Sequence, residues 1–115
     1  MGRGRGRDRL NQYTVHVTPA ALREAKALPG HMRQRVKRAI GDLASNARPP
    51  ESRKLEIAGI EAEIRRLRLD HWRIIYAVTE VERAVDVLGV RKRPPYDYGD
   101  LQELINRALL PPEQQ

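Results

Sequence analysis

Apolar and polar residues along the chain follow two alternating periods. "QYTVHVT" alternates Tyr13, Val15 and Val17 with Thr14, His16 and Thr18, the two-residue period of a half-buried strand, and predicts one over 12–17. Thr18 before Pro19 is a helix start signal, because proline at the first helical position lacks only a donor that would be orphaned anyway. The stripe Ala21, Leu22, Ala25 and Leu28 follows and is stopped by "PG" at 29 and 30. Met32, Val36, Ile40, Leu43 and Ala47 then recur every three or four residues, which predicts a second helix over 31–46 with Arg33, Arg35, Lys37 and Arg38 on its other faces. "NARPPES" ends it, since two prolines push the chain extended.

From Lys54 the period returns to two. "KLEI" is a short extended piece, 63–69 and 72–79 form a hairpin centred on Asp70 and His71, and "AVDVLGVRK" from 84 is a further strand after the polar turn "TEVER". "RPPYDYGD" leads into a closing helix over 100–109, where Asp100 and Glu103 have capping-box spacing and Leu101, Leu104, Ile105 and Leu109 form the buried stripe. The predicted class is α+β: an N-terminal strand, a helical hairpin, an antiparallel sheet of three to four strands and a short C-terminal helix. Residues 12–110 make one domain. Residues 111–115 are a tail, and the Gly/Arg arm 1–11 cannot bury a face and is expected to be disordered.

Charge sharpens this picture. The chain has 115 residues with 22 Lys+Arg against 15 Asp+Glu, a formal charge of +7, so a polyanionic or acidic partner is expected. Cysteine is absent, which removes disulfides and thiolate nucleophiles, and the three histidines are too scattered for a local metal motif. No metal and no cofactor are expected. Without an apolar leader or a run long enough to span a bilayer, the expectation is a soluble cytoplasmic protein with no membrane partner.

The hairpin gives this charge a location. With Asp70 and His71 at the turn, Leu69 pairs with Trp72, Arg68 with Arg73, Leu67 with Ile74 and Arg66 with Ile75. Leu67, Leu69, Trp72, Ile74 and Tyr76 then share the face turned to the helices, and Arg66, Arg68 and Arg73 share the other. Like charges placed opposite cost about 0.2 to 1 kcal/mol per pair, a cost that a bound anion offsets. The domain's own acids, Glu56, Glu61, Glu63 or those of the closing helix, are the alternative partners. Arg91, Lys92 and Arg93 follow the last strand and are expected near Arg73. Tyr96 and Tyr98 come next, and an exposed tyrosine beside arginine can stack on an unpaired base.

Read together, "YTVHVTPAALREAKALP", "LASNARPP", "KLE", "RRLRLDHWRIIYAV" and "VLGVRKRPPYDY" resemble the RelE/ParE superfamily of type II toxin-antitoxin toxins over roughly residues 12–108. The RelE branch cleaves mRNA in the ribosomal A site by attack of a ribose 2′-hydroxyl on the adjacent phosphate. The resemblance therefore implies a ribosome-dependent endoribonuclease with ribosome, mRNA and a cognate antitoxin as partners. By position, Arg66 falls on a catalytic lysine, Arg73 on the arginine after the hairpin turn, Lys92 or Arg93 on the post-strand cation, and Tyr96 on the tyrosine that orients substrate. Arg68 and Arg91 are left to bind RNA. Arginine at 66 departs from the pattern, because it serves poorly as a general base; His71 and Lys92 are the nearby groups that could move a proton. The ParE branch, which inhibits DNA gyrase and lacks nuclease residues, is the alternative.

Overall fold

A computed structural model describes residues 12–92 and 100–109. The arm 1–11, the tail, and Arg93, Tyr96 and Tyr98 lie outside the described residues. In chain order the elements are β1 (Thr14–Val17), α1 (Pro19–Lys26), α2 (Gly30–Asp42), β2 (Ser52–Leu55), β3 (Glu63–Leu69), β4 (Trp72–Thr79), β5 (Ala84–Lys92) and α3 (Leu101–Leu109). They build one five-stranded sheet in the order β1-β5-β4-β3-β2. All neighbours are antiparallel except β1, which runs parallel to β5. β2 to β5 are the antiparallel sheet of four strands that the sequence suggested, and the expected N-terminal strand joins it as a parallel fifth. The helical hairpin carries the chain across the sheet, so β1 cannot pair with the strand that follows it and finds β5 instead, Thr14 opposite Ala84 and Val17 opposite Val87.

Thr18 caps α1 as expected, its hydroxyl oxygen accepting from the Ala21 amide at 3.2 Å. The same hydroxyl donates to the Val87 carbonyl at 2.9 Å, so the helix start is fastened where β1 stops. α2 ends at Asp42, short of the predicted 46. The residues beyond are committed elsewhere: the Ala44 carbonyl accepts from the Tyr13 amide at 2.7 Å, and the Asn46 side chain turns the chain by accepting from the Arg48 amide at 3.0 Å.

Side chains from the two sheet faces make two cores. Leu67, Ile74, Tyr76, Val85, Val87 and Val90 pack beneath Met32, Val36 and Leu43 of the helical hairpin, joined by the partly buried Leu69 and Trp72. Ile64, Ile75, Ala77 and Leu88 pack beneath Leu101 and Ile105 of α3. β4 is covered on both faces, and its apolar run "IIYAV" is the sequence consequence. The register slips once. Ile75 faces Gly89 but Tyr76 faces Val87, leaving Leu88 as an extra residue on β5. Strict alternation would put Leu88 and Val90 on one face; the bulge sends Leu88 to the α3 core and Val90 to the hairpin core. Among the described residues no helix is long and apolar enough to cross a membrane.

Tyr76, fully buried, donates its hydroxyl to the Ala47 carbonyl at 2.7 Å and so ties the central strand to the α2–β2 connection. Tyr76→Phe keeps the ring and strips the carbonyl of its donor, and is expected to lower the unfolding free energy by about 1 to 3 kcal/mol with an unchanged m-value in urea denaturation.

Candidate nucleic-acid interface

The β3–β4 hairpin has the register that the alternation required: Arg66 with Ile75, Leu67 with Ile74, Arg68 with Arg73 and Leu69 with Trp72. Asp70 and His71 form its two-residue turn. Asp70 adopts φ 57, in the left-handed region where aspartate is tolerated better than most side chains, and its carboxylate forms an ion pair with Arg35 of α2. Arg66, Arg68 and Arg73 therefore share the sheet face that also carries Ile64 and Ile75.

Two arginines join them from neighbouring strands. Arg53 of β2 stands in register with Arg66, and Arg91 of β5 with Arg73. The bulge is the reason for Arg91's position, since unbroken alternation from Val85 would have turned it to the helical hairpin. Lys92, in register with Trp72, belongs to that opposite face. The structure thus separates Lys92 from Arg66 and Arg73, contrary to their expected convergence.

The arginines on this face differ in what they can reach. Arg73 is 6% exposed and does not project into solvent as expected. Its Nη1 donates to the Asp70 carbonyl at 2.8 Å and the Trp72 carbonyl at 2.9 Å, so the guanidinium braces the turn. Arg91 is held by carboxylates: Nε donates to Glu24 at 3.1 Å, and Nη1 and Nη2 donate to the two oxygens of Asp100 at 3.0 and 2.8 Å. Arg91 is therefore neutralised by α1 and the start of α3, and the expectation that it binds RNA gives way to a clasp. A Cβ on Gly89 would lie 3.1 Å from Glu24 Oε1 and 3.2 Å from Arg91 Nε, so the bare backbone there lets the pair close. Arg53 and Arg68 are exposed and form no ion pair among the described residues. Arg66 is partly buried beside them.

Acidic groups gather at the other end of the sheet. Arg48 donates to both oxygens of Glu63 at 2.9 and 2.8 Å, and to Glu80 at 3.1 Å. Arg65 adds a bond to Glu63 at 3.0 Å, and the Arg83 guanidinium lies 4.4 Å from the Tyr13 ring centre. The Arg48 hydrogen bonds hold the Glu63 carboxyl below its ordinary range and raise the guanidinium. Glu63, one of the acids considered as a partner for the hairpin arginines, is thereby taken up at the far end.

A cleft of about 830 Å³ opens at the turn end of the hairpin. Arg35, Arg68, Arg73 and His71 contribute to its wall, with Leu43 and Leu67 among its apolar residues. Sequence reasoning missed Arg35 and Arg53, because their positions depend on how α2 and β2 dock. Their residue type and the basic run around each were the only signals. His16 and His31 are exposed. Among the described residues no cluster of three or more potential ligands could hold a metal ion.

Known proteins agree with this architecture. The model of the ParE toxin of the type II toxin-antitoxin system parDE matches residues 15–94. No curated protein sequence matches the chain. Among solved structures, the archaeal RelE–RelB complex from Pyrococcus horikoshii is similar with a TM-score of 0.65 and 24% identity, covering 74% of this chain and 99% of that one. The toxin–antitoxin complex RelBE2 from Mycobacterium tuberculosis gives 0.61 and 25% over 71% and 99%. A mutant of E. coli RelE in the free state gives 0.59 and 21% over 85% and 99%. The chain belongs to the RelE/ParE superfamily and is the toxin of a type II toxin–antitoxin system.

Two consequences of the arginine geometry can be measured. Arg73→Ala leaves two turn carbonyls without a charged donor and should cost on the order of 2 to 3 kcal/mol in chemical denaturation, whereas Arg68→Ala should leave the midpoint within error. The Arg91 guanidinium holds the Asp100 carboxyl below the ordinary carboxylate range. A carboxyl depressed in the folded state contributes stability that is fully present above the unfolded value of about 4 and is lost as pH falls through the folded value. Asp100→Asn should therefore flatten the acid limb of the stability–pH curve below about pH 4; parallel limbs in wild type and variant would show that the clasp adds nothing.

Proposed function

We propose that this toxin is an endoribonuclease that cuts mRNA on the ribosome, working in the cytoplasm and held inactive by a cognate antitoxin. The observation that carries the reading is the juxtaposition of Arg53, Arg66 and Arg68 on adjacent strands, two of them exposed with no ion pair among the described residues. Guanidinium groups bind phosphate oxygens bidentately and stay charged at any working pH, so a ribose-phosphate chain is the ligand that turns their mutual repulsion into binding. Attack of a 2′-hydroxyl on the adjacent phosphate builds negative charge there, which fixed cations stabilise.

In this reading Arg66 stabilises the reacting phosphate, Arg68 holds a neighbouring one, and Arg73 braces the turn beside them. Arg93 and Tyr96 complete the site, Tyr96 by stacking on a base. His71, on the same cleft as Arg68 and Arg73, takes the proton-transfer role in preference to Lys92 on the opposite face. An acidic antitoxin segment would cover the arginine face by charge complementarity. Several of the similar structures are themselves toxin–antitoxin complexes, which supports a partner of this kind. The match to the ParE model favours a second reading, inhibition of DNA gyrase by protein contact.

Induced expression followed by primer-extension mapping of mRNA ends, run beside supercoiling assays, separates the two. Codon-phased cuts are expected; intact mRNA with cleaved DNA overturns the nuclease reading. Arg68→Ala should weaken binding of a single-stranded RNA and reduce the slope of log affinity against log salt by about 0.7 if one phosphate contact is lost. An unchanged slope would remove Arg68 from the interface.

A further inference from the structure

The cleft at the turn end of the hairpin is larger than a phosphate contact needs. Its volume of about 830 Å³ is that of a site for a whole small molecule. Leu43 at the end of α2, Pro49 of the connection to β2, and Leu67 of β3 give it apolar walls. Its polar side chains divide into those already engaged and those still open. Arg35 is paired with Asp70, Arg73 braces the turn, and Asn46 Oδ1 accepts from the Arg48 amide. Arg68, Asp42 and Glu51 are exposed, and their side chains form no hydrogen bond or ion pair among the described residues.

Glu51 is held in place by its backbone. Its carbonyl accepts from the Arg68 amide at 3.2 Å, which continues the ladder in which Arg53 faces Arg66 and Ser52 faces Leu67. Glu51 thus stands across from Arg68, yet the two charges do not close on each other as those of Arg48 and Glu63 do. A guanidinium and a carboxylate kept apart at the mouth of one cleft suit a single ligand with an anionic end and a donor-bearing end. The carboxylates of Glu51 and Asp42 repel phosphate, so an RNA chain keeps its backbone on the arginines and sends a base inward.

We infer that this cleft, on the ribonuclease reading above, is a base subsite selective for guanine, with Glu51 as the residue that determines specificity. An ionised carboxylate only accepts hydrogen bonds, and its two oxygens lie side by side. Guanine alone among the four RNA bases has two adjacent donors on its Watson–Crick edge, N1–H and the 2-amino group. Adenine, cytosine and uracil each set an acceptor beside the donor, and its lone pair would meet the second carboxylate oxygen. Arg68 holds the adjoining phosphate while Leu43, Pro49 and Leu67 wall the ring.

The probes are four fluorescein-labelled RNA pentamers with uridine at the outer positions and guanosine, inosine, adenosine or uridine at the centre. Inosine lacks only the 2-amino group of guanosine, and all four present the same phosphates. Fluorescence anisotropy with the full chain should show the guanosine pentamer binding about tenfold more tightly than the inosine one. In Glu51→Gln, checked for folding by circular dichroism, the ratio of the two affinities should fall to about one. The affinities themselves should not drop below those of wild type for the inosine, adenosine and uridine pentamers, because a charge that repels RNA has been removed. Equal binding of the guanosine and inosine pentamers, a guanosine preference that survives Glu51→Gln, or no binding of any pentamer overturns the inference. Equal binding beside codon-phased mRNA cuts leaves a ribonuclease without a guanine subsite. A guanosine preference lost in Glu51→Gln beside intact mRNA leaves the subsite and removes the ribonuclease reading.

Discussion

The cross-strand pairing of Leu69 with Trp72 over a two-residue turn is the constraint on which the rest depends. A strand has two faces and a period of two, so that one pairing assigns every side chain of β3 and β4 to the helical hairpin or to α3. It puts Leu67, Ile74 and Tyr76 under α2 and Arg66, Arg68 and Arg73 on the other side. The turn is fastened from two directions, by the Arg35 ion pair with Asp70 and by the Arg73 hydrogen bonds to its carbonyls. A slip of one residue would bury three guanidinium groups without partners and expose the core.

Charge is sorted along the sheet as well as across it. Glu63 and Glu80 collect Arg48, Arg65 and Arg83 at the end away from the turn, while Glu24 and Asp100 take Arg91. These acids serve the fold, and the net positive charge remains on the middle of β2 and β3 and on the helical hairpin. Arg53 and Arg68 stand on a ladder of strands suited to an extended polyanion.

The hairpin, its register, the Thr18 cap and the core under the helical hairpin were legible in the sequence because each depends on neighbours within a few residues or on a strict period; the second core, under α3, was not placed. What escaped depends on distant pairing. "TVHV" was read as a strand but carries no sign that its partner lies at 84–87, so its parallel place beside β5 was not foreseen. Arg53 reaches the arginine face only through the β2–β3 register, and Glu24 reaches Arg91 only because α1 lies over the edge of β5 that β1 leaves open. Arg73 was placed on the correct face but expected in solvent, since alternation gives the direction of a side chain and says nothing of how far it curls back. Lys92 was misplaced by the bulge, which has no local signature beyond Gly89.

That bulge makes the chemistry of the last strand a matter of counting. Straightening the ladder with Leu88 kept, so that Leu88 faced Ile75, would restore plain alternation and exchange the sides of Arg91 and Lys92. The α3 side would then carry a flexible ammonium instead of a planar guanidinium, and Glu24 and Asp100 would lose the fork that bridges them. Deleting Leu88 would instead leave Gly89 opposite Ile75 and both cations on their present sides, and would take one side chain from the α3 core.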